Sequence, residues 1–260
     1  MDRFTGKTAV ITGAASGIGA ALVDEALQRG MNVVAADISG DELNRFVSSK
    51  DNDRIVALPT DIRSPDEVQA LADFAFQNFG TVDYLFNNAG TCIYRKIHES
   101  SPAEFKQMLD VNLMGIVNAV WAFMPRMRQQ ATPGFIINTA SLGGLLLSPG
   151  INAYCVTKHA VVTYSEALAE ELAADGIDVK VTVICPGLVD TKLFRSVDAQ
   201  RATLGADDFV AGESTLLPAD VAALAFRQIA EGRFLIITHP QYAPLIRERA
   251  DKFLADLPAG

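Results

Sequence analysis

Seven short apolar runs alternate with longer amphipathic segments along this chain, and that alternation restricts its fold more than any other feature. The runs fall at residues 8–12, 32–36, 55–58, 84–87, 135–139, 179–184 and 234–237. They are rich in Val and Ile and lack strict polar/apolar alternation, as expected of strands covered on both faces. Between them lie helical patterns at 18–29, 41–49, 65–79, 102–129, 151–175, 218–231 and 242–254. Two of these open on a serine followed by a proline, Ser64-Pro65 and Ser101-Pro102, which is a helix-start signature. Strands separated by helices predict an α/β protein with one doubly wound, parallel, seven-stranded sheet, right-handed crossovers and helices on both faces. No linker interrupts the pattern, so residues 1–260 read as one domain. One insertion, at about 187–218, breaks the rhythm. A loop of that length in a compact domain is unusual and often functional; a helix near 193–202 is expected within it, and the whole can act as a lid.

Composition narrows the function classes. The 260 residues are 49% hydrophobic and 20% charged, enough apolar material for a sizeable core. The net charge of −9 argues against a nucleic-acid partner, which needs a basic face. Cys92, Cys155 and Cys185 are odd in number and widely spaced, and read as core or pocket-wall thiols in a reducing cytosol. His98, His159 and His239 are scattered, so no metal site is expected. The chain enters folded-looking sequence at Gly6 with no leader pattern, and the apolar runs 135–137 and 145–147 are too short to span a bilayer. A cytoplasmic protein without a membrane partner is expected.

The first strand runs into Thr12-Gly13-Ala14-Ala15-Ser16-Gly17-Ile18-Gly19, and a helix follows. Glycines at 13, 17 and 19 leave a tight turn with no side chain between backbone and ligand. The helix start offers unpaired N–H groups and a positive dipole end to a pyrophosphate. The other reading is a glycine turn used only for close helix–strand packing. Asp37 ends the second strand, eighteen residues beyond Gly19, where an acid can accept both ribose hydroxyls of an adenosine and repel a 2′-phosphate. Its neighbours Ala35, Ala36, Ile38 and Ser39 include no arginine, which favours NAD over NADP. Asp61 follows the third strand; it can accept from an adenine amino group or serve as a turn acid before Ser64-Pro65. Asn87-Asn88-Ala89-Gly90 closes the fourth strand with small and amide residues that suit a ligand crevice or an ordinary turn.

Tyr154 and Lys158 stand four residues apart, one helical turn, on a shared face. A free tyrosine has a pKa of about 10. A neighbouring ammonium favours the phenolate, so the pair is a candidate acid–base device for an alcohol oxygen. A half-buried tyrosine beside a solvated lysine is the alternative.

Together these pieces resemble the short-chain dehydrogenase/reductase family. The motifs that carry the resemblance are Thr12-Gly13-x-x-x-Gly17-x-Gly19, Asn87-Asn88-Ala89-Gly90, Asn112 in Val111-Asn112-Leu113, Ser141, Tyr154-x-x-x-Lys158 and Pro186-Gly187. They stand in order, with thirteen residues from Ser141 to Tyr154, and cover the chain from Gly6 to about Pro240. The resemblance implies a Rossmann-type NAD-binding domain that transfers hydride between the cofactor and a small-molecule alcohol or ketone. It implies Tyr154 as acid–base, Ser141 as hydrogen-bond partner of the reacting oxygen and Lys158 as the group that lowers the tyrosine pKa and holds the nicotinamide ribose. Asn112 is implied as the anchor of a proton-relay water. Gly13, Ser16, Gly17, Ile18 and Gly19 would hold the pyrophosphate, and Asp37, Asp61, Ile62, Asn87 and Gly90 the adenosine. Pro186, Gly187, Val189 and Thr191 would hold the carboxamide. An NADPH-dependent ketone reductase and a non-catalytic dinucleotide-binding regulator are the competing readings.

Segments 91–98, 142–150 and 187–218 should frame a substrate if the resemblance holds. Ile93, Leu142, Leu147, Leu188 and Phe194 make that frame apolar and favour a hydrophobic secondary alcohol or ketone. Tyr94, Arg95 and Asn152 are candidates for a polar contact. The helical segments around 108–129 and 151–174 carry more apolar and small residues than one core face needs, among them Ala119, Ala122, Val156, Ala160, Val161 and Ala167, and Trp121 reads as core or interface. The resemblance implies that such helices pair between subunits, so a homo-oligomer, tetramer or dimer, is expected; burial in a monomer is the alternative.

Overall fold

The structure, a computed structural model, describes residues 3–204 and 215–257. The tip of the predicted lid, 205–214, lies outside the described residues. Seven strands form one sheet in the order β3-β2-β1-β4-β5-β6-β7, and every pairing is parallel. They are β1 (Thr8–Thr12), β2 (Asn32–Asp37), β3 (Ile55–Pro59), β4 (Tyr84–Asn87), β5 (Gly134–Thr139), β6 (Val179–Cys185) and β7 (Leu235–Ile237). Each lies within a residue of the run that predicts it. The two-residue side-chain period sorts each strand between two cores. Ile11, Val33, Phe86 and Ile137 face α1 (Gly17–Gln28) and α8 (Pro218–Ala230). Val10, Val34, Leu85 and Ile136 face α3 (Pro65–Phe79), α5 (Gly115–Met127) and α6 (Asn152–Ala174). These side chains are fully buried, and each contributes roughly 2 kcal/mol by leaving water. The remaining helices are α2 (Gly40–Ser48), α4 (Pro102–Leu109), α7 (Lys192–Thr203) and α9 (Ala243–Ala255).

The serine–proline starts behave as their chemistry requires. The Ser64 hydroxyl accepts the N–H of Glu67 at 3.3 Å. Ser101 and Glu104 close a reciprocal capping box. The single helix expected over 102–129 is divided: a π turn, Asp110–Met114, separates α4 from α5. Tertiary bonds hold the extra residue in place. Asn112 Oδ1 accepts the Thr91 N–H at 2.8 Å, and its Nδ2 donates to the Thr91 carbonyl and to Thr157 Oγ1, both at 2.9 Å. Such π turns are frequent at functional sites. The stretch Pro102–Met127 has the length and mean hydropathy of a bilayer span, 1.3, but half of that apolar window is buried inside the protein.

Ala119, Ala122 and Val161, expected at a subunit contact, are packed in this chain's own core. Apolarity alone cannot tell the two burials apart. Trp121 goes the other way: its helix turns it from α3, and it stands 79% exposed.

Candidate active site

The strand order reverses between β1 and β4, so the connections from these neighbours leave in opposite directions and open a crevice at their carboxyl ends. Thr12 and Asn88 fix its floor. Thr12 Oγ1 accepts the N–H groups of Asn88 and Ala89 at 3.0 and 3.2 Å, and Asn88 Nδ2 donates to the Thr12 carbonyl at 3.1 Å. The glycine turn sits on that floor with no room for side chains. Gly13 has φ +66°, and a Cβ there would lie 2.9 Å from Ala89 Cα. A Cβ on Gly19 would lie 2.0 Å from the Gly13 carbonyl oxygen. Ser16 opens α1 without capping it through its side chain, and Ser16, Gly17 and Ile18 line the crevice at this helix start.

At one end of the crevice Asp37 is held rigidly. Its Oδ2 accepts the Ala15 N–H and its Oδ1 the Ser39 N–H, both at 3.0 Å. Each oxygen keeps lone pairs for a diol. Asp61 is more committed than its sequence context indicates. Arg63 forks onto its carboxylate at 2.9 and 2.5 Å and holds its pKa below the usual carboxylate range, chiefly through those side-chain bonds. Ile62 is set by α5: Asn118 Nδ2 donates to its carbonyl at 3.0 Å, and a Cβ on Gly115 would meet its side chain at 2.4 Å. Ile38, 64% exposed, lines this end too.

At the other end stand Ser141, Tyr154 and Lys158. Ser141 leaves β5 in extended conformation; its Oγ accepts the Gly143 N–H at 3.0 Å and donates to the Pro186 carbonyl at 3.3 Å. Lys158 is buried on α6, and its ammonium donates to the Thr139 carbonyl at 2.8 Å. Burial lowers the Lys158 pKa from 10.5 to about 8. Tyr154 differs from the sequence expectation. Burial is the largest influence and pushes its pKa up; the bond to Ser141 pulls the other way and loses. Lys158 Nζ lies 5.7 Å from the ring centroid and points at a backbone carbonyl, so within the chain alone it does not draw the phenol down. Cys92 and Cys185, both buried nearby, are pushed up to about 12 by desolvation and stay neutral thiols.

One cavity of about 830 Å³ joins the two ends. Of the expected cofactor residues, Gly13, Ser16, Gly17 and Ile18 line it at the glycine turn and Asp37, Asp61 and Ile62 at the Asp37 end. Gly90, expected beside the adenosine, lines it near Lys158 instead, where a Cβ would lie 3.5 Å from Lys158 Nζ. Pro186, Gly187, Val189 and Thr191 line it beside Ser141, Tyr154 and Lys158. Leu142, Leu147, Leu188 and Phe194 also lie on its wall. Four expected residues do not. Gly19 lies beneath the turn. Asn87 is buried under the floor and donates to Asn138 Oδ1 at 2.9 Å. Asn112 is fully buried behind Thr91, and Ile93 packs behind the wall against a small cluster that includes Cys92 and Met108.

Tyr94, Arg95 and Asn152 bind the protein rather than the cavity. Tyr94 covers Gly150, Arg95 pairs with Glu104, and Asn152 Oδ1 accepts the Ser148 N–H at 3.0 Å. These contacts fasten the segments at 94–95 and 148–150 to each other and to the starts of α4 and α6. Two wall residues have no signal in the sequence: Tyr242 and Leu245, at the start of α9. Arg249 on that helix donates to the Leu145 carbonyl at 3.0 Å and so ties it to the loop after Ser141. Lys192, at the start of α7, reaches Glu42 on α2 at 2.8 Å and joins the insertion to the opposite rim.

The arrangement fits a dinucleotide: a side-chain-free turn under a helix start, an anchored carboxylate at one end, and a hydroxyl–phenol–ammonium set at the other. Comparisons with known proteins agree. The family described as short chain dehydrogenase matches residues 7–202. A CLA biosynthesis dehydrogenase/reductase of Lactiplantibacillus plantarum is 31% identical, covering 98% of this chain and 96% of its own. The 1-deoxy-11-beta-hydroxypentalenate dehydrogenase of Streptomyces exfoliatus is 33% identical, covering 94% and 87%. The crystal structure of a short chain dehydrogenase/reductase from Burkholderia phymatum in complex with NAD superposes with a TM-score of 0.88 at 35% identity, covering 100% of this chain and 99% of that one.

Proposed function

The chain belongs to the short-chain dehydrogenase family, and on that premise we propose that it is an NAD-dependent oxidoreductase interconverting an apolar secondary alcohol and its ketone. One observation carries the reading: a single cavity runs from Asp37 and the glycine turn to Ser141, Tyr154 and Lys158. A bound nicotinamide dinucleotide supplies the hydride acceptor or donor and, when oxidised, a positive ring. The chain's own residues do the rest. Ser141 holds the reacting oxygen at near-attack position, and Tyr154 takes or returns its proton. Lys158 contributes its charge and grips the cofactor's ribose. Asn112 works from behind, through Thr91 and Thr157.

The apolar wall of Leu142, Leu147, Leu188, Phe194 and Leu245 favours a hydrophobic substrate. The relative named for 1-deoxy-11-beta-hydroxypentalenate, a hydroxy compound, supports an alcohol as the reduced partner. Asp37 supports NAD. Arg63 is the cation that keeps an NADPH-dependent reductase as the second reading, though its guanidinium is already paired with Asp61. The test is a panel of secondary alcohols of increasing size with NAD⁺ and with NADP⁺, followed by absorbance of the reduced nicotinamide. NAD⁺ should be preferred by at least about tenfold in kcat/KM, and Asp37→Asn should erase that preference. Equal rates with both cofactors in the unsubstituted protein refute the reading of Asp37. Absence of turnover with every alcohol, alongside tight dinucleotide binding, favours a binding regulator instead.

Three buried free cysteines support a reducing cytosol, and an exposed apolar face supports pairing with copies of the chain. Trp121 on α5, with Met114 and Val156 also exposed, forms an apolar face that a second copy would cover. Trp121→Glu should shift the protein to a smaller species in sedimentation without changing its Tm by more than a few degrees. An unchanged sedimentation profile removes this face from the interface.

A further inference from the structure

We infer that His239 is a positioning residue that, through the Pro186–Gly187 peptide, holds the Ser141 hydroxyl in register with Tyr154. His239 follows β7 and is 2% exposed. Its Nδ1 lies 3.2 Å from the Gly187 nitrogen and 2.7 Å from Thr238 Oγ1, and Thr238 Oγ1 is itself 3.2 Å from the Gly187 nitrogen. A peptide N–H facing Nδ1 assigns that nitrogen as the acceptor and puts the ring proton on Nε2. Among the described residues that buried Nε2 has no partner. A purely apolar side chain would fill the space without that cost, so packing does not explain a histidine here.

The other side of the same peptide is also pinned. The Pro186 carbonyl accepts the Leu142 N–H at 2.7 Å and the Ser141 hydroxyl at 3.3 Å. Rotating the 186–187 peptide plane therefore moves the acceptor that aims Ser141. Gly187 is glycine because the imidazole lies against it: a Cβ there would come within 2.7 Å of Nδ1. His239 thus clamps one edge of the plane and Ser141 reads the other. The inference rests on the proposed role of Ser141.

Two substitutions separate clamping from packing. His239→Leu keeps bulk and removes the Nδ1 acceptor, leaving the Gly187 N–H only the Thr238 hydroxyl, which itself loses its bond to Nδ1. His239→Asn offers an amide oxygen near the position of Nδ1. In the leucine variant kcat for the best alcohol of the panel should fall by at least about tenfold, while KM for that alcohol moves less than about threefold and inhibition by AMP, a probe of the adenosine end alone, stays within about twofold. The asparagine variant should recover most of kcat. Amide hydrogen exchange at Gly187, measured on the protein without substrate, should be roughly tenfold faster in the leucine variant and near the starting rate in the asparagine variant. Wild-type kcat in the leucine variant, equal impairment of both variants, or unchanged Gly187 exchange would overturn the inference. If no alcohol is turned over yet the exchange pattern holds, the clamp stands and the functional reading falls.

Discussion

Tyr154→Phe is expected to lower turnover about 10³-fold while leaving NADH affinity within about threefold of the starting value. The substitution removes one oxygen from a buried ring and leaves its packing against Cys92, Met108 and Ala153. On the proposed reading, binding energy for the dinucleotide would come chiefly from the glycine turn and Asp37, which line the same cavity away from Tyr154. The pH profile sharpens the test. Burial holds the phenol pKa above its ordinary value, so near neutrality Tyr154 is an acid. Alcohol oxidation needs its deprotonated form, whose fraction grows about tenfold per pH unit below the pKa. Oxidation should therefore accelerate from pH 7 to pH 9, and ketone reduction should not. The residual rate of the phenylalanine variant should lose that slope. Turnover above a tenth of the starting value in this variant assigns the proton to another group.

Lys158→Met should abolish activity and stabilise the fold. Activity should drop by at least about 10²-fold, because among the described residues no other cation is placed within a helical turn of the phenol to take the place of the lysine. The stability gain follows from burial. Folding moves the ammonium pKa from 10.5 to about 8, which at pH 7 corresponds to roughly 3 kcal/mol against the folded state. Loss of the bond to the Thr139 carbonyl returns about 1 kcal/mol of that. The net should raise Tm by roughly 4 °C at pH 7. The sign depends on pH in a defined way. The folded pKa is the lower one, so between about pH 8 and pH 10.5 the unfolded chain binds more protons and the unsubstituted protein gains stability. The methionine variant's advantage should shrink across that window. A variant less stable than the parent at pH 7 would show that the buried ammonium is not a burden on folding.

The strands were legible because a strand covered on both faces needs an unbroken apolar run, and few other structures do. The glycine turn was legible because only glycine tolerates the approaches at 13 and 19. Helix starts at Ser64 and Ser101 follow local chemistry. What stayed hidden depends on distant partners. The π turn at Asp110–Met114 has ordinary helical periodicity, and its extra residue is held by Thr91 and Thr157. His239 looks like an isolated histidine until Gly187, fifty-two residues earlier, lies against it. The phenol's acidity required a count of every group around it: the four-residue spacing to Lys158 gives proximity and says nothing of how much water burial removes.

The helix α9 has no buried residue, yet its first turn lends Leu245 to the cavity wall, and Arg249 fastens it to the loop behind Leu145. The matched family segment ends at residue 202, well before it. A surface that borders the reacting substrate while contributing little to the core can change by mutation at small cost to folding. Natural selection can therefore retune which molecules this scaffold accepts by rewriting its last helix, leaving the inherited machinery for electrons and protons untouched.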